Sequence, residues 1–474
     1  MIGESNNGKS KTGLALFFLI SPFLLYFPVI HKYFVSDDFK VLSRVCLEKT
    51  ILIKGFFRPL SDITIYLNYK LDGFNPMVFN SFNLLAHGIN SFLLYICCLR
   101  FGITDKKLNK QFAFIAGLLF LTYPFHNEGV VWLLGRGASM SCTFALAGII
   151  VMLSRYSLLK RILLTCSCYF IGLLAFESII FYPFIILIFL LIRGVKRKEG
   201  ILWVTGLLIT LCIHLMIRML ISGSLTGSYG GGFLKTAPAI YLLNMAKTAG
   251  RLIFPPTGTW HWLVFVYIAI LVVLGILSLR IRPEGNNPSM KVIKGLCLCL
   301  CISCIVPVFT GISTITSESD RMLYFPSLFL CMIISMLLIC FIRNSFGKLL
   351  ICFLLLSYNI FFLEKNNLHW AIAGDTTQSL IRLIKNRPQG KTYILDVPEE
   401  YRGAFIFRQG LNDALRINSI DPKGITVMNY LTRDQVDLPP MSTLGQPLPK
   451  LNKEDEVIFW DRRTFVRLKS MPKN

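Results

Sequence analysis

The sequence contains few acidic residues, few histidines and none of the short motifs that mark many soluble enzymes. Its 474 residues include 26 Asp and Glu against 49 Lys and Arg, and only 6 His. The glycine-rich run 227–232 has neither a preceding strand nor the lysine of a P-loop, which excludes nucleotide binding there. A serine nucleophile elbow and a zinc-ligand signature are also missing, which removes two common kinds of catalytic centre.

Convincing metal-ligand sets are scarce, although the chain has 14 cysteines. Cys297, Cys299, Cys301 and Cys304 have the spacing of a ligand set, but no His or carboxylate accompanies them. Nearly all the cysteines lie inside apolar runs, where Cys behaves as a small hydrophobe. We therefore expect them to pack in the core, and we predict no metal site and no required cofactor. A divalent cation at an acidic pair stays an alternative.

Long apolar runs dominate what the chain does contain. Hydrophobic residues make up 54% of it. Because a helix needs about 20 apolar residues to cross a bilayer, the sequence predicts an all-α polytopic membrane protein with about 11 transmembrane helices. We place the spans at 14–34, 78–99, 112–125, 137–153, 161–176, 178–192, 201–221, 262–280, 292–312, 322–342 and 348–363. We expect the first to be a membrane span and not a cleaved signal peptide, because Asp37 and Asp38 follow it in place of a cleavage site.

The net charge of +23 would suggest nucleic acid as a partner of a soluble protein. Here Lys and Arg cluster in every second loop between apolar runs, which is the pattern of cytoplasmic loops. We therefore predict membrane lipids and no nucleic acid as partners, a cytoplasmic N-terminus and an extracytoplasmic C-terminus. This topology requires that 235–254 does not cross but forms an amphipathic helix in an outer loop, 222–261.

Two regions follow from this pattern: a transmembrane catalytic domain over 1–363 and an extracytoplasmic region over 364–474. The first includes a long outer loop, 35–77, in which we expect short interfacial helices. The second begins with a polar helix-like stretch, 364–387, and continues as a small mixed α/β domain. Its strand-like runs are 392–397, 403–407, 425–431, 457–461 and 465–469.

Asp37 and Asp38 directly follow the first span, on the predicted outer face. A carboxylate there can act as a general base; a solvated loop pair, a helix cap or a cation site are the alternatives. Arg58, in a Phe-Arg-Pro-Leu motif, either holds a phosphate oxygen or anchors the loop at the membrane surface.

Polar side chains also mark the second span. Asn83, His87 and Asn90 are four and three residues apart and therefore share one helix face. Such a face in a membrane helix meets protein or a water-filled cavity. Hydrogen bonding between helices is the structural alternative.

Two further groups lie at the predicted outer boundary. The first comprises His126, Glu128, Trp132 and Arg136. In it, Glu128 can orient His126 or Arg136, and Arg136 can meet a phosphate. Glu177 stands alone among apolar residues, so we expect a basic partner for it, such as an arginine. The other group opens the tenth span and comprises Glu318, Asp320, Arg321 and Tyr324. Arg321 and Tyr324 are typical of a phosphate or headgroup contact, and an acid-rich helix start with an interfacial tyrosine is the alternative.

Taken in order, these motifs resemble those of the GT-C membrane glycosyltransferases over about 14–365. The likeness is greatest to the protein O-mannosyltransferase branch and its transmembrane relatives that carry tetratricopeptide repeats. The motifs are Asp37-Asp38, Phe57-Arg58-Pro59-Leu60, the Asn83 face, Tyr123-Pro124 with His126, Glu128, Trp132 and Arg136, Glu177, and Asp320-Arg321 with Tyr324. This chain departs in having Asp320 where the relatives show Glu, no repeats and a different tail.

The resemblance implies inverting transfer of a sugar from a polyprenyl-phosphate donor to a protein or glycan acceptor outside the cytoplasm, with a bacterial inner membrane as the expected location. Asp37 or Asp38 would be the base. Arg58, Arg136 and Arg321 would hold the lipid phosphate, and His126 and Glu128 would line the donor site. The supporting residues would be Asn83, His87, Glu177, Glu318, Asp320 and Tyr324. A lipid or sugar transporter or flippase, and a ligase or polymerase of envelope polysaccharide, are the alternatives.

Overall fold

The computed structural model describes residues 5–101, 106–225, 237–256, 288–342, 344–387, 390–428, 441–442, 451–452, 454–461 and 464–468. Helices dominate these residues up to Lys385. They are α1 Ser5–Leu25, α2 Asp38–Leu42, α3 Pro59–Asp72, α4 Pro76–Phe101, α5 Lys106–Leu121, α6 Asn127–Val130, α7 Arg136–Met152, α8 Leu158–Ala175, α9 Tyr182–Ile192, α10 Arg197–Ser222, α11 Pro238–Arg251, α12 Pro288–Ser303, α13 Ile305–Thr310, α14 Tyr324–Phe341, α15 Ser345–Lys385 and α16 Leu411–Ile417.

Seven helical segments in the described residues are long and apolar enough to cross a membrane. They are Pro76–Phe101, Leu133–Met152, Leu158–Ala175, Arg197–Ser222, Met290–Thr310, Asp320–Phe341 and Ser345–Lys385. Two shorter apolar helices, Thr12–Leu25 and Tyr182–Ile192, coincide with further predicted spans. The predicted span 112–125 begins inside α5, which has 16 residues. The span 262–280 and the run 227–232 lie outside the described residues, so the count of 11 stays a prediction.

The first helix ends earlier than predicted, at Leu25 instead of residue 34. Pro28 follows in a short 3₁₀ turn, Phe27–Val29. Proline lacks the amide hydrogen and disfavours helical conformation in the residue before it, which favours the end of the α-helix here, although Pro22 is accommodated inside α1. The chain therefore leaves the helix early and runs on to the acidic turn at Asp37.

The last membrane helix is longer than predicted. Helix α15 runs without a break over 41 residues and includes the polar stretch that we expected to be separate. Its C-terminal half carries buried side chains such as Asn367, Trp370 and Thr377, which shows that this half packs against protein.

The C-terminal region contains the expected small sheet. Its strands are β1 Thr392–Leu395, β2 Glu400–Tyr401, β3 Ala404–Phe405, β4 Ile425–Met428, β5 Met441–Ser442, β6 Glu456–Trp460 and β7 Phe465–Leu468. Five of them form one sheet in the order β5-β4-β1-β6-β7, in which only β7 is antiparallel to its neighbour. Strands β2 and β3 form a separate hairpin. The mixed α/β character predicted for this region is therefore confirmed.

The segment 35–77, predicted to be an outer loop, contains the short helices that were expected, α2 and α3, with a π-helical turn at Ser43–Leu47. The C-terminal region packs on this loop: the rings of Phe39 and Phe407 stack 5.9 Å apart. Lys40 Nζ also donates to Gln409 Oε1 at 2.7 Å. A single hydrophobic cluster runs from the membrane helices through this contact into the sheet, so the acidic turn lies between two packed layers.

Candidate active site

The two adjacent aspartates lie in different environments. Asp37 precedes the first residue of α2, and its side chain is 21% exposed. Asp38 is fully buried, and its Oδ2 accepts a 3.0 Å hydrogen bond from the backbone N–H of Val35. Burial raises the pKa of Asp38 to about 7, although the charge of the buried Lys32 acts in the opposite direction. Of the two carboxylates, only that of Asp37 is accessible to a second molecule.

Arg408, from the C-terminal region, reaches this turn, and sequence reasoning missed it. Its Nη2 lies 3.7 Å from Asp37 Oδ2, and its Nη1 donates to Glu318 Oε1 at 2.7 Å. The Arg408 guanidinium also lies over the ring of Phe405, 4.8 Å from its centroid. Arg408 therefore connects three separate parts of the chain: the acidic turn, the loop before α14 and the β3–α16 segment.

Glu128, which is fully buried, forms an ion pair with the partly exposed Arg321, although 193 residues separate them in sequence. The backbone N–H of Arg321 donates to Glu128 Oε2 at 2.7 Å, and the guanidinium bonds to Oε1. Burial raises the pKa of Glu128, and the charge of Arg321 opposes that effect. The Arg321 guanidinium lies 5.1 Å from the centre of the Trp132 ring. The pair fixes the start of α14 against α6.

The neighbouring Asp320 has a partner of its own. Its carboxylate is ion-paired with the fully buried Arg251, at the end of α11. The predicted amphipathic helix therefore exists as α11 and is tied to the start of α14. The adjacent residues Asp320 and Arg321 thus tie the start of α14 to α11 and to α6, respectively.

Arg136 is fully buried, and no carboxylate pairs with it among the described residues. Its Nη1 donates to Asn68 Oδ1 at 2.8 Å, and its Nη2 donates to the carbonyl oxygen of Phe79 at 3.3 Å. These bonds join α7 to α3 and α4. Its charge is one of those that lower the pKa of Asp38, so Arg136 acts on the acidic turn through the field it produces.

The histidines belong to an interior network. His87 Nδ1 lies 2.8 Å from the Tyr324 hydroxyl, which also accepts from Asn90 Nδ2 at 3.1 Å. His126 Nε2 lies 2.7 Å from Ser327 Oγ, and its ring packs 4.4 Å from that of Tyr324. Asn83 Nδ2 donates to the carbonyl oxygen of Trp132 at 3.4 Å. The shared face predicted for α4 is confirmed, since its three polar residues are all buried, and it meets protein.

Glu177 has the arginine partner that its apolar surroundings required, and in fact it has two. Arg58 Nε lies 3.0 Å from one carboxylate oxygen, and Arg218 Nη1 lies 2.6 Å from the other. Burial alone would raise the pKa of Glu177, but the two arginines outweigh it and hold that pKa below its ordinary range. The carboxylate of Glu177 thus bridges two guanidinium groups, one from the segment before α3 and one from α10.

Within the described residues, no three His, Cys, Asp or Glu side chains converge as ligands for a metal ion. The site is instead a set of ion pairs around the acidic turn. Its carboxylates and guanidinium groups come from the outer loop, from α6, from the segment before α14 and from the C-terminal region.

Known proteins similar in sequence to this chain include protein O-mannosyl-transferases. No family model matches the chain. It is 34% identical over 88 residues to the human protein O-mannosyl-transferase TMTC1, which is 18% of this chain and 9% of that protein. It is 35% identical over 91 residues to mouse protein O-mannosyl-transferase TMTC3, which covers 19% and 9% of the two chains. The matched stretches thus span about a tenth of the relatives' length.

Among solved structures, the chain aligns with the crystal structure of ArnT from Cupriavidus metallidurans bound to undecaprenyl phosphate. The TM-score is 0.46 at 11% identity, over 88% of this chain and 90% of that one. The described residues form a mostly helical chain with several helices able to span a membrane. The candidate site is an acidic turn held by ion pairs. The resemblance to protein O-mannosyltransferases stated from the motifs is confirmed in sequence over the matched stretches.

Proposed function

We propose that this protein is an inverting glycosyltransferase that moves a sugar from a polyprenyl-phosphate donor to a hydroxyl of a protein or glycan on the extracytoplasmic face. The observation that carries the proposal is the acidic turn, where a partly exposed carboxylate, Asp37, adjoins a buried one, Asp38. The sequence similarity to protein O-mannosyltransferases supports a glycosyl-transfer role and makes mannose the first sugar to test.

In this proposal Asp37 is the general base and Asp38 shapes the turn. Asp37 takes the proton of the acceptor hydroxyl as that oxygen forms its bond to the anomeric carbon. The bond between the anomeric carbon and the phosphate oxygen breaks, and the electron pair leaves with the polyprenyl phosphate. The proton remains on Asp37 until it passes to water. A single displacement of this kind inverts the sugar configuration and needs one base.

The arginines would hold the leaving phosphate, because cations placed beside developing negative charge lower the barrier. Arg58 shares the Glu177 carboxylate with Arg218. Arg321 is partly exposed and lies at the start of α14. We assign these two residues to the lipid phosphate. Arg136, which is fully buried, is assigned to the support of the acidic turn, and Glu128 to the placement of Arg321.

The test uses the purified protein in vesicles with a labelled polyprenyl-phosphate mannose and acceptor peptides. Asp37→Asn is expected to lower transfer by about 100-fold or more, because it removes the base and preserves the shape of the side chain. Glu48→Gln is the matched control, since Glu48 is an exposed acid of the same outer loop that pairs with Arg416.

Full transfer by Asp37→Asn would overturn the proposal, and full transfer by the double variant with Asp38→Asn would exclude the acidic turn as the source of the base. A thermal unfolding curve for each variant separates loss of chemistry from loss of folding. Movement of the labelled donor across the vesicle membrane without any product would favour the transporter alternative instead.

A further inference from the structure

The C-terminal region places one charged side chain at the acidic turn. Arg408 lies 3.7 Å from Asp37 Oδ2, which is too long for a hydrogen bond, while its short 2.7 Å bond goes to Glu318. The guanidinium is thus shared between two carboxylates and makes its closer contact with Glu318. A cation at this distance stabilises the charge of the carboxylate without the direct hydrogen bond that would occupy that oxygen's lone pair.

Packing fixes the position of Arg408. The ring of Phe405, which lies under its guanidinium, contacts Trp132 at 5.2 Å and Trp370 at 5.7 Å between ring centroids. Phe405 is buried, so the segment that carries Arg408 is seated between α15 and the loop before α7. This packing holds the Arg408 side chain in place, so no ion pair within its own segment is needed.

The charged groups around Asp37 define what Arg408 can do. Asp38 lies next to Asp37 on the same turn and repels its charge once it is ionised, at pH above about 7. Arg408 faces Asp37 from the C-terminal region, and Glu318 faces Arg408 from the loop before α14. Lys40, one turn further along α2, is bonded to Gln409. Arg408 is thus the cation paired with Asp37 in the described ion pairs, and it opposes the repulsion from Asp38.

We propose that Arg408 is a positioning residue of the transfer reaction, supplied by the C-terminal region, which keeps Asp37 ionised and directed towards the acceptor. This inference rests on the proposed function of Asp37. Glu318 is part of this arrangement, because its hydrogen bond to Arg408 keeps the guanidinium from moving closer to the Asp37 carboxylate. The C-terminal region is therefore part of the active site as well as a layer packed on it.

Two substitutions test this assignment in opposite directions. Arg408→Gln removes the cation, so the carboxylate becomes easier to protonate and the acid limb of the pH–kcat profile should move up by about one pH unit. At neutral pH a carboxylate whose acid limb has moved by about one pH unit is still ionised, so the expected fall in kcat of about tenfold reports the lost orientation of Asp37, with KM for the labelled donor nearly unchanged. Glu318→Gln releases Arg408 towards Asp37, so the acid limb should move to lower pH.

Arg416→Gln is the matched control. Arg416 also belongs to the C-terminal region and pairs with the outer loop, at Glu48, but it does not contact Asp37. It should leave the pH profile unchanged. Arg408→Lys, which keeps the charge, should restore most of the profile.

The outcomes separate this inference from the proposed function. If Asp37→Asn is inactive but Arg408→Gln has the pH profile of Arg416→Gln, the role of Arg408 is overturned and the function of Asp37 stands. If Asp37→Asn is fully active, the proposed function itself fails. Should Arg408→Gln not fold, Glu318→Gln decides: a shift of its acid limb to lower pH supports the inference, and an unchanged profile overturns it.

Discussion

The backbone N–H of Ser36 donates a 2.7 Å hydrogen bond to the carbonyl oxygen of Ile406, which ties the acidic turn to the C-terminal region. Ser36 has φ of +48°, in the left-handed region that non-glycine residues rarely adopt. Such a conformation costs about 1–2 kcal/mol and persists where surrounding contacts enforce it. The turn and the segment 404–410 therefore form one structural unit.

The substitution Gly410→Ala should disrupt the contact between the acidic turn and the segment 404–410. Gly410 has φ of +86°, and a Cβ there would lie 2.7 Å from the carbonyl oxygen of Ser36. We expect the variant to lower the free energy of unfolding by more than about 1 kcal/mol and to lower transfer activity. Gly424→Ala is the matched control, since Gly424 has φ of +78° but no atom closer than 4.0 Å to the added carbon. Equal stability losses in both variants, with normal activity, would contradict this account.

Asp38→Asn should flatten the pH dependence of stability. The pKa of Asp38 is raised to about 7, so the folded protein binds a proton that the unfolded chain releases near pH 4. Stability is therefore lost as pH rises from about 4 to 7, by roughly 4 kcal/mol at about 1.4 kcal/mol per pH unit. The variant has no such proton to lose. Thermal unfolding midpoints in detergent between pH 4 and 8 measure the difference, and parallel curves for the two proteins would refute it.

The Glu128–Arg321 pair should show strong coupling. Glu128 is fully buried, so removal of Arg321 alone leaves an uncompensated buried charge and should cost about 3–5 kcal/mol. Glu128→Gln with Arg321→Gln should cost clearly less than the sum of the two single changes. A double-mutant cycle on the free energy of unfolding measures this, and strict additivity would show that the two residues do not interact.

Glu177→Gln should remove an acid-sensitive part of the stability. The two arginines hold the pKa of Glu177 below its ordinary range, so its contribution is present above about pH 4.5 and is lost as pH falls through the folded pKa. The variant should be less stable than wild type at pH 7, and the gap should narrow below pH 4. Unfolding midpoints at pH 3, 5 and 7 test this; a constant gap would contradict it.

The sequence predicted those features that depend on local spacing or on the cost of buried charge. Glu177 required a cation because an unpaired acid among apolar residues is expensive. Its partners could not be chosen in advance, because Arg58 and Arg218 are 119 and 41 residues away. Asn83, His87 and Asn90 were placed on one face from their offsets alone, and the structure buries all three.

Other features depend on how distant segments meet. Arg408 lies in a tail without a family motif, so nothing in the sequence connected it with Asp37. Arg136 was expected to meet a phosphate, but whether a guanidinium is exposed depends on the packing of α3 and α4 around it. The early end of α1 could have been found, because Pro28 was visible in the sequence.

Helix α15 carries a mechanical consequence. With 41 residues and a rise of about 1.5 Å each, it is roughly 60 Å long, about twice the thickness of the hydrocarbon layer. One continuous helix thus joins a candidate membrane span to the C-terminal region. Because each residue turns a helix by about 100°, insertion of a single residue within it would rotate the attached region and carry Arg408 away from Asp37. The register of helix α15 therefore sets the geometry of the site at Asp37, although the helix contributes none of the charged groups of that site.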